Sequence, residues 1–314
     1  MLFLAVLALA GAGRAQATLP GLDGEIVVAA KAGAAKGAHF DLYLVDPVGG
    51  AVTQLTRTKT FDEFWPSFSP DGTKIAFVGC ACDLVGRDAQ AVEHSQVYVV
   101  PTAGGQPRQV TRESGAVNRP SWSPDGKLIL FDEQSQTGPH VYAVPAAGGR
   151  PVRLTSTARQ DVAPELSPNG KRLAVFRTVL APGTGLATEW LTVIDVLTGD
   201  ARRIAGGVSS DDRPSWSPDG RTLAFARDAG RDLFDVETAG VSGSPLRQVT
   251  RGDGDKRWPV WSPDGTRLAY VTLPRESVDD GFAGTLTISE ASGAGAHAVR
   301  GLPALAEQPD WQRQ

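Results

Sequence analysis

Several residue sets in this chain have the types needed for chemistry. The octapeptide RPSWSPDG occurs at 119–126 and again at 213–220, placing Ser123 next-but-one to Asp125 and Ser217 next-but-one to Asp219. A serine nucleophile needs a base within hydrogen-bond reach, and neither copy has a nearby His or a G-x-S-x-G context. Cys80 and Cys82, in GCACD, are compatible with free thiols, with a local disulfide if the backbone bends, or with a weakly spaced metal set that recruits His94. The aspartate-rich pieces GDGDK (252–256) and VDDG (278–281) lack the spacing of a calcium loop. The expectation from these sets is no catalytic residue, no metal and no cofactor.

The octapeptide is one copy of a repeat. Aligned on its proline, the chain reads WPSFSPDG (65–72), RPSWSPDG (119–126), APELSPNG (163–170), RPSWSPDG (213–220) and WPVWSPDG (258–265), with a truncated QPDWQRQ at 308–314. Successive prolines, Pro66, Pro120, Pro164, Pro214, Pro259 and Pro309, are separated by 54, 44, 50, 45 and 50 residues. GLDGEIVVAA (21–30) continues the pattern where QPDWQRQ stops, so a sixth unit is split between the two ends. A chemical role for Ser123 or Ser217 is disfavoured further, because the same serine recurs as Ser69, Ser167 and Ser262.

Each unit holds a short strand with the proline and an aromatic, an SPDG turn, an alternating apolar run such as KIAFVG (74–79), a second run such as QVYVVP (96–101), a Gly-rich turn and a last short strand such as RQVT (108–111). Four strands joined by hairpins make an antiparallel sheet, and six such sheets around an axis make a propeller. The predicted fold class is therefore all-β: a six-bladed β-propeller over residues 18–314, four antiparallel strands per blade, closed by a blade shared between the termini.

The motif has a structural reading at each position. Ser-Pro-Asp-Gly suits a type I turn followed by a left-handed residue, with Asp71, Asp125, Asp219 and Asp264 at the third position and Gly72, Gly126, Gly220 and Gly265 at the fourth. The prolines cannot donate to a ladder, so they belong on the inner strand, whose free edge faces the axis. Phe68, Trp122, Trp216, Trp261 and Trp311 stand two residues after their prolines and are expected to wedge between blades; Leu166 takes that place in the copy at 163–170.

This repeat resembles the WSPDG-type repeat of TolB-like propellers, which also forms the propeller domain of prolyl-oligopeptidase-type peptidases. The resemblance covers essentially the whole mature chain and implies the fold and a binding role. The chain departs from both: the α/β domain that precedes the propeller in TolB and the hydrolase domain of the peptidases have no counterpart in it, so neither activity carries over whole.

Strand order puts the SPDG and Gly-rich turns on one face. The segments before each proline, and the variable loops 30–40, 79–95, 178–189 and 273–284, fall on the other. Loops of that kind carry function more often than the scaffold does. The expected binding residues ring the channel mouth there: Trp65, Asn118, Arg119, Asp161, Asp212, Arg213, Arg257 and Trp258. His39, His94 and His140 sit at similar register near the third strands of successive blades, too far out for one metal to gather them.

Composition and charge narrow the partner class. Charged residues are 21% of the chain, hydrophobic ones 41%, and the net charge is -4, with no basic run that would track phosphates. MLFLAVLALAGAG followed by Ala15-Gln16-Ala17 reads as a signal peptide over 1–17, cleaved near Ala17 and leaving no membrane span. The sequence thus points to a monomeric periplasmic or secreted propeller that binds a protein or peptide of the cell envelope, and not nucleic acid. The alternative is a propeller lyase or hydrolase acting on a sugar or lactone at the channel mouth.

Overall fold

The computed structural model describes residues 24–31, 39–81, 95–155, 160–180, 187–209, 211–230, 233–243, 245–274, 284–303 and 305–313. They form six four-stranded antiparallel sheets. Blade 1 runs Asp62–Phe68, Lys74–Cys80, Gln96–Pro101, Arg108–Gln109 from axis to rim. Blade 2 is Val117–Trp122, Leu128–Ser135, Gly138–Pro145, Val152–Arg153; blade 3 is Gln160–Leu166, Arg172–Leu180, Ala187–Asp195, Ala201–Gly206. Blade 4 is Ser215–Trp216, Thr222–Asp228, Phe234–Gly240, Arg247–Gln248; blade 5 is Asp255–Trp261, Arg267–Leu273, Thr285–Glu290, His297–Ala298. In blade 6 the C-terminal strand Leu305–Trp311 is innermost and pairs with Ile26–Lys31, followed by Phe40–Val45 and Val52–Gln54. The ring is a six-bladed propeller closed by strand pairing between its two ends. Closure removes the free blade edge that an open array would expose.

Burial explains why the second and third strands read as unbroken apolar runs. Both sheet faces meet a neighbouring blade, so KIAFVGC is buried from Ile75 to Cys80. The aromatic wedges bridge blades by hydrogen bonds as well as by packing. Trp122 Nε1 donates to the Ser67 carbonyl of blade 1 at 3.0 Å, and Trp216 Nε1 to the Glu165 carbonyl of blade 3 at 3.0 Å. Trp216 lies in one core cluster with Ala163, Phe176 and Leu191 of blade 3.

The SPDG turns repeat one hydrogen-bond set. Ser69 Oγ donates to Asp71 Oδ1 at 2.6 Å, the Thr73 N–H donates to the same oxygen, and the Gly72 N–H closes the turn on the Ser69 carbonyl. Gly72, Gly126, Gly170, Gly220 and Gly265 have φ between +65° and +71°, the left-handed position that glycine takes without a Cβ clash.

The inner strands hold a feature that sequence reasoning missed. The opening proline sits inside a β-bulge in blades 1, 2, 3, 5 and 6, where the register shifts across the residue pair ending in proline. The residue before each of these prolines, Trp65, Arg119, Ala163, Trp258 or Gln308, is left-handed, with φ from +48° to +54°. A residue before proline is driven out of the right-handed helical region, and a bulge re-aims the chain. Blade 4 is the exception: its inner strand is only Ser215–Trp216, and Arg213 is not left-handed.

Of the variable loops named above, the central parts lie outside the described residues, as do 1–23, Cys82 and His94. Cys80 is disulfide-bonded.

Candidate functional site

The five left-handed residues encircle the axis on the loop-rich face. Such backbone costs on the order of 1–3 kcal/mol per residue and persists only where the surroundings hold it. Side chains from other strands supply the hold. Gln308 Oε1 accepts the Trp65 N–H at 2.7 Å, Asp132 Oδ1 accepts the Ala163 N–H at 2.9 Å, and Asp212 accepts the Trp258 N–H at 3.0 Å.

These outward turns bring three of the expected mouth residues together. Trp65 of blade 1 meets Trp258 of blade 5 edge-on, with ring centroids 6.3 Å apart. The Arg119 guanidinium of blade 2 lies 5.2 Å from the Trp65 ring centre, in cation–π range. All three are half-buried. Arg119 is steered there by Asp132, 2.8 Å from Nη1 and 2% exposed on its side chain. Trp258 Nε1 donates to the Asp211 carbonyl at 3.0 Å.

Of the other expected residues, Asp212 bonds the cluster directly, through the Trp258 N–H. Asp161 is buried and takes two parallel bonds from Arg177, at 2.6 and 2.9 Å. Asp212 is fully buried; burial pushes its carboxyl up to about 6, although the nearby Arg257 charge and the N–H groups of Trp258 and Arg213 pull the other way. Arg257 pairs with Asp255 at 2.8 Å and lies over the Phe234 ring at 3.8 Å. Asn118 is half-buried on the strand of Arg119, opposite Asp132.

Arg213 goes elsewhere. Its buried guanidinium crosses the channel and donates to the carbonyls of Pro120 at 3.1 Å and Pro66 at 3.3 Å. It also borders a cavity of about 440 Å³ on the opposite, SPDG face, lined by Trp122, Trp216, Trp261, Trp311, Glu165 and Asp310 among others. Burial raises the carboxyls of both Glu165 and Asp310 above their usual range, with Arg313 and Arg213 offsetting part of that rise. Arg313 Nη2 reaches Glu165 Oε1 at 2.7 Å across the ring, from blade 6 to blade 3. This cavity, Glu165, Asp310 and Arg313 were not among the residues anticipated from sequence. One signal was available: the position after the proline is Ser67, Ser121 and Ser215 in three copies, but Glu165 and Asp310 in two others.

Among the described histidines, His39 lies 3.3 Å from Asp62 and His140 is hydrogen-bonded to Thr137 at 2.9 Å. Among the described residues no group of three or more His, Cys, Asp or Glu is arranged to hold a metal ion.

The family model of the TolB β-propeller domain matches residues 84–263, more than half of the chain. The chain belongs to the TolB β-propeller family. Among curated proteins it is 28% identical over 164 residues to YuxL of Bacillus subtilis strain 168, named an uncharacterized peptidase, covering 51% of this chain and 21% of that one. It is 26% identical over 192 residues to the uncharacterized protein Atu1656 of Agrobacterium fabrum, covering 59% and 61% respectively. The chain thus spans less than two thirds of the length of either relative. Among solved structures, TolB from Acinetobacter baumannii superposes with a TM-score of 0.72 at 21% identity, over 93% of this chain and 67% of that one. An oligogalacturonate lyase from Vibrio parahaemolyticus superposes at 0.51 and 16% identity, over 88% and 74%. At these identities the TolB-family propeller shares a fold with both a TolB and a lyase.

Proposed function

We propose that this TolB-family propeller is an exported, periplasmic binding protein without chemistry of its own, gripping a peptide segment of an envelope protein at the loop-rich mouth. The observation that carries the reading is the Trp65–Trp258–Arg119 cluster at the axis. Large aromatics and arginine in a partly exposed central position are the residue types that anchor protein interfaces. The left-handed backbone that presents them supports the same reading, since strain held in place by buried acceptors concentrates where ligands are met. Export is supported by the apolar leader ending in Ala15-Gln16-Ala17. No helix among the described residues is long and apolar enough to cross a membrane.

Site-specific photocrosslinking in the envelope tests the proposal. A photoreactive residue at position 65 is expected to trap one discrete partner, and the same group at Thr266, exposed on the SPDG face, is not. The Trp65→Ala/Trp258→Ala double variant should bind the trapped partner at least tenfold more weakly. Equal crosslinking from both faces, or unchanged affinity, would overturn the assignment. The competing lyase or hydrolase reading draws on the likeness to the oligogalacturonate lyase. It requires turnover of an oligogalacturonate or a lactone by the purified protein.

A further inference from the structure

The SPDG-face cavity is separate from the mouth just described and has its own chemistry. Four aromatic walls, Trp122, Trp216, Trp261 and Trp311, surround two carboxylates, Glu165 and Asp310. The remaining copies place Ser67, Ser121, Ser215 and Val260 at that ring position, none of them ionisable. Beside Glu165 the wedge aromatic is replaced by the smaller Leu166. A repeat breaks its own pattern most readily where something other than folding is selected.

The two guanidinium groups in the cavity are held differently. Arg213 is 10% exposed on its side chain and tied to two proline carbonyls, with Asp310 3.8 Å away. Arg313 is 42% exposed on its side chain and is held by a 2.7 Å bond to Glu165, whose side chain is 11% exposed. A buried carboxylate that meets its cation at 2.7 Å makes a strong charge-assisted bond. With Arg313 in place about 440 Å³ still remains, within the range of ligand-binding pockets.

We propose that this cavity is a receptor for the guanidinium group of an arginine within a peptide, and that Arg313 holds the Glu165 position as a tethered stand-in which the ligand displaces. Glu165 accepts the incoming N–H groups, the tryptophan walls cover the alkyl stem, and Arg213 stays as the fixed floor. Because this site lies at the other end of the channel, its failure leaves the loop-face reading intact.

The test titrates capped Gly-Arg-Gly, its Gly-citrulline-Gly analogue and free arginine into wild type and Arg313→Ala, read by calorimetry and by the fluorescence of the wall tryptophans. The expected result is saturable binding of the arginine peptide to Arg313→Ala, at least tenfold tighter than to wild type, with none for the citrulline peptide. Adding Glu165→Gln to Arg313→Ala should weaken that binding at least tenfold, provided the melting curve shows it folded. The citrulline arm keeps the test decisive if it is not. Absence of binding to folded Arg313→Ala, equal affinity in both proteins, or binding of free arginine without the capped peptide would each overturn the proposal.

Discussion

The two ends of the channel are built by opposite means. On the SPDG face every turn uses glycine where the backbone goes left-handed, and one short hydrogen-bond set recurs from copy to copy. On the loop-rich face non-glycine residues adopt the left-handed conformation in five blades, each before a proline. Three of them are pinned by a carboxylate or amide contributed from another blade. The first end is locally determined and tolerant of change; the second depends on ring closure, because Trp65 of blade 1 needs Gln308 of blade 6. Strain and long-range support therefore coincide with the aromatic cluster, while the regular turns frame the open cavity.

Arg213 links the two ends, and removing it is the most severe way to break the contrast. Arg213→Ala leaves the Pro66 and Pro120 carbonyls without their donor and strips Asp310 of a buried neighbour. Losing one member of a buried charged set costs about 3–5 kcal/mol. Denaturant unfolding should show that loss, and a midpoint unchanged from wild type would remove Arg213 as the brace.

A smaller effect of opposite sign is expected at Glu63, at the seam between blades 1 and 6. Burial raises its carboxyl to about 8; Thr56 Oγ1 donates to Oε2, as does the Leu42 N–H at 3.2 Å, and Oε1 has no partner. The folded chain favours the protonated form, whereas the unfolded chain ionises near 4.5. The stability that neutral Glu63 contributes is thus full below about 4.5 and is lost as pH rises to about 8. Glu63→Gln should therefore match wild type at pH 4 and exceed it by about 3 kcal/mol at pH 7. Thermal melts at both pH values check this; a variant weaker at pH 7 would place an ionised, paired Glu63 at the seam.

The smallest effect belongs to a single SPDG turn. Asp219→Ala removes the acceptor for Ser217 Oγ and the Arg221 N–H at an exposed site, worth about 0.5–1 kcal/mol. Burial opposes ionisation of Asp219, but the Ser217 and Arg221 bonds outweigh it and hold the carboxyl below its usual range. Its contribution is accordingly present above about pH 4 and fades as pH falls. A loss larger than that of Arg213→Ala would invert the order of the two ends.

Much of this architecture could be read from residues because it rests on local rules that repeat. A Pro-x-aromatic strand, an SPDG turn and two apolar runs recur with nearly constant spacing, and a half-unit at each end completes the count. Trp65, Trp258 and Arg119 were legible as mouth residues for the same reason: each precedes its proline. The neighbours Asp161, Asp212 and Arg213 stand at or near equivalent positions in sequence, yet face inward. Arg213 turns inward because blade 4 lacks the bulge, whereas Asp161 stands two residues before the left-handed Ala163 of a blade that has it. Glu165 and Asp310 replace the serine of three other copies, and the motif alone does not say that they meet at one cavity. Periodicity within one chain determined the blade, its turns and the number of blades. Only the closed ring decided which side chains from different blades meet over the axis, because those contacts join residues from separate repeats, as far apart as Trp65 and Trp258, whose distance no local pattern encodes.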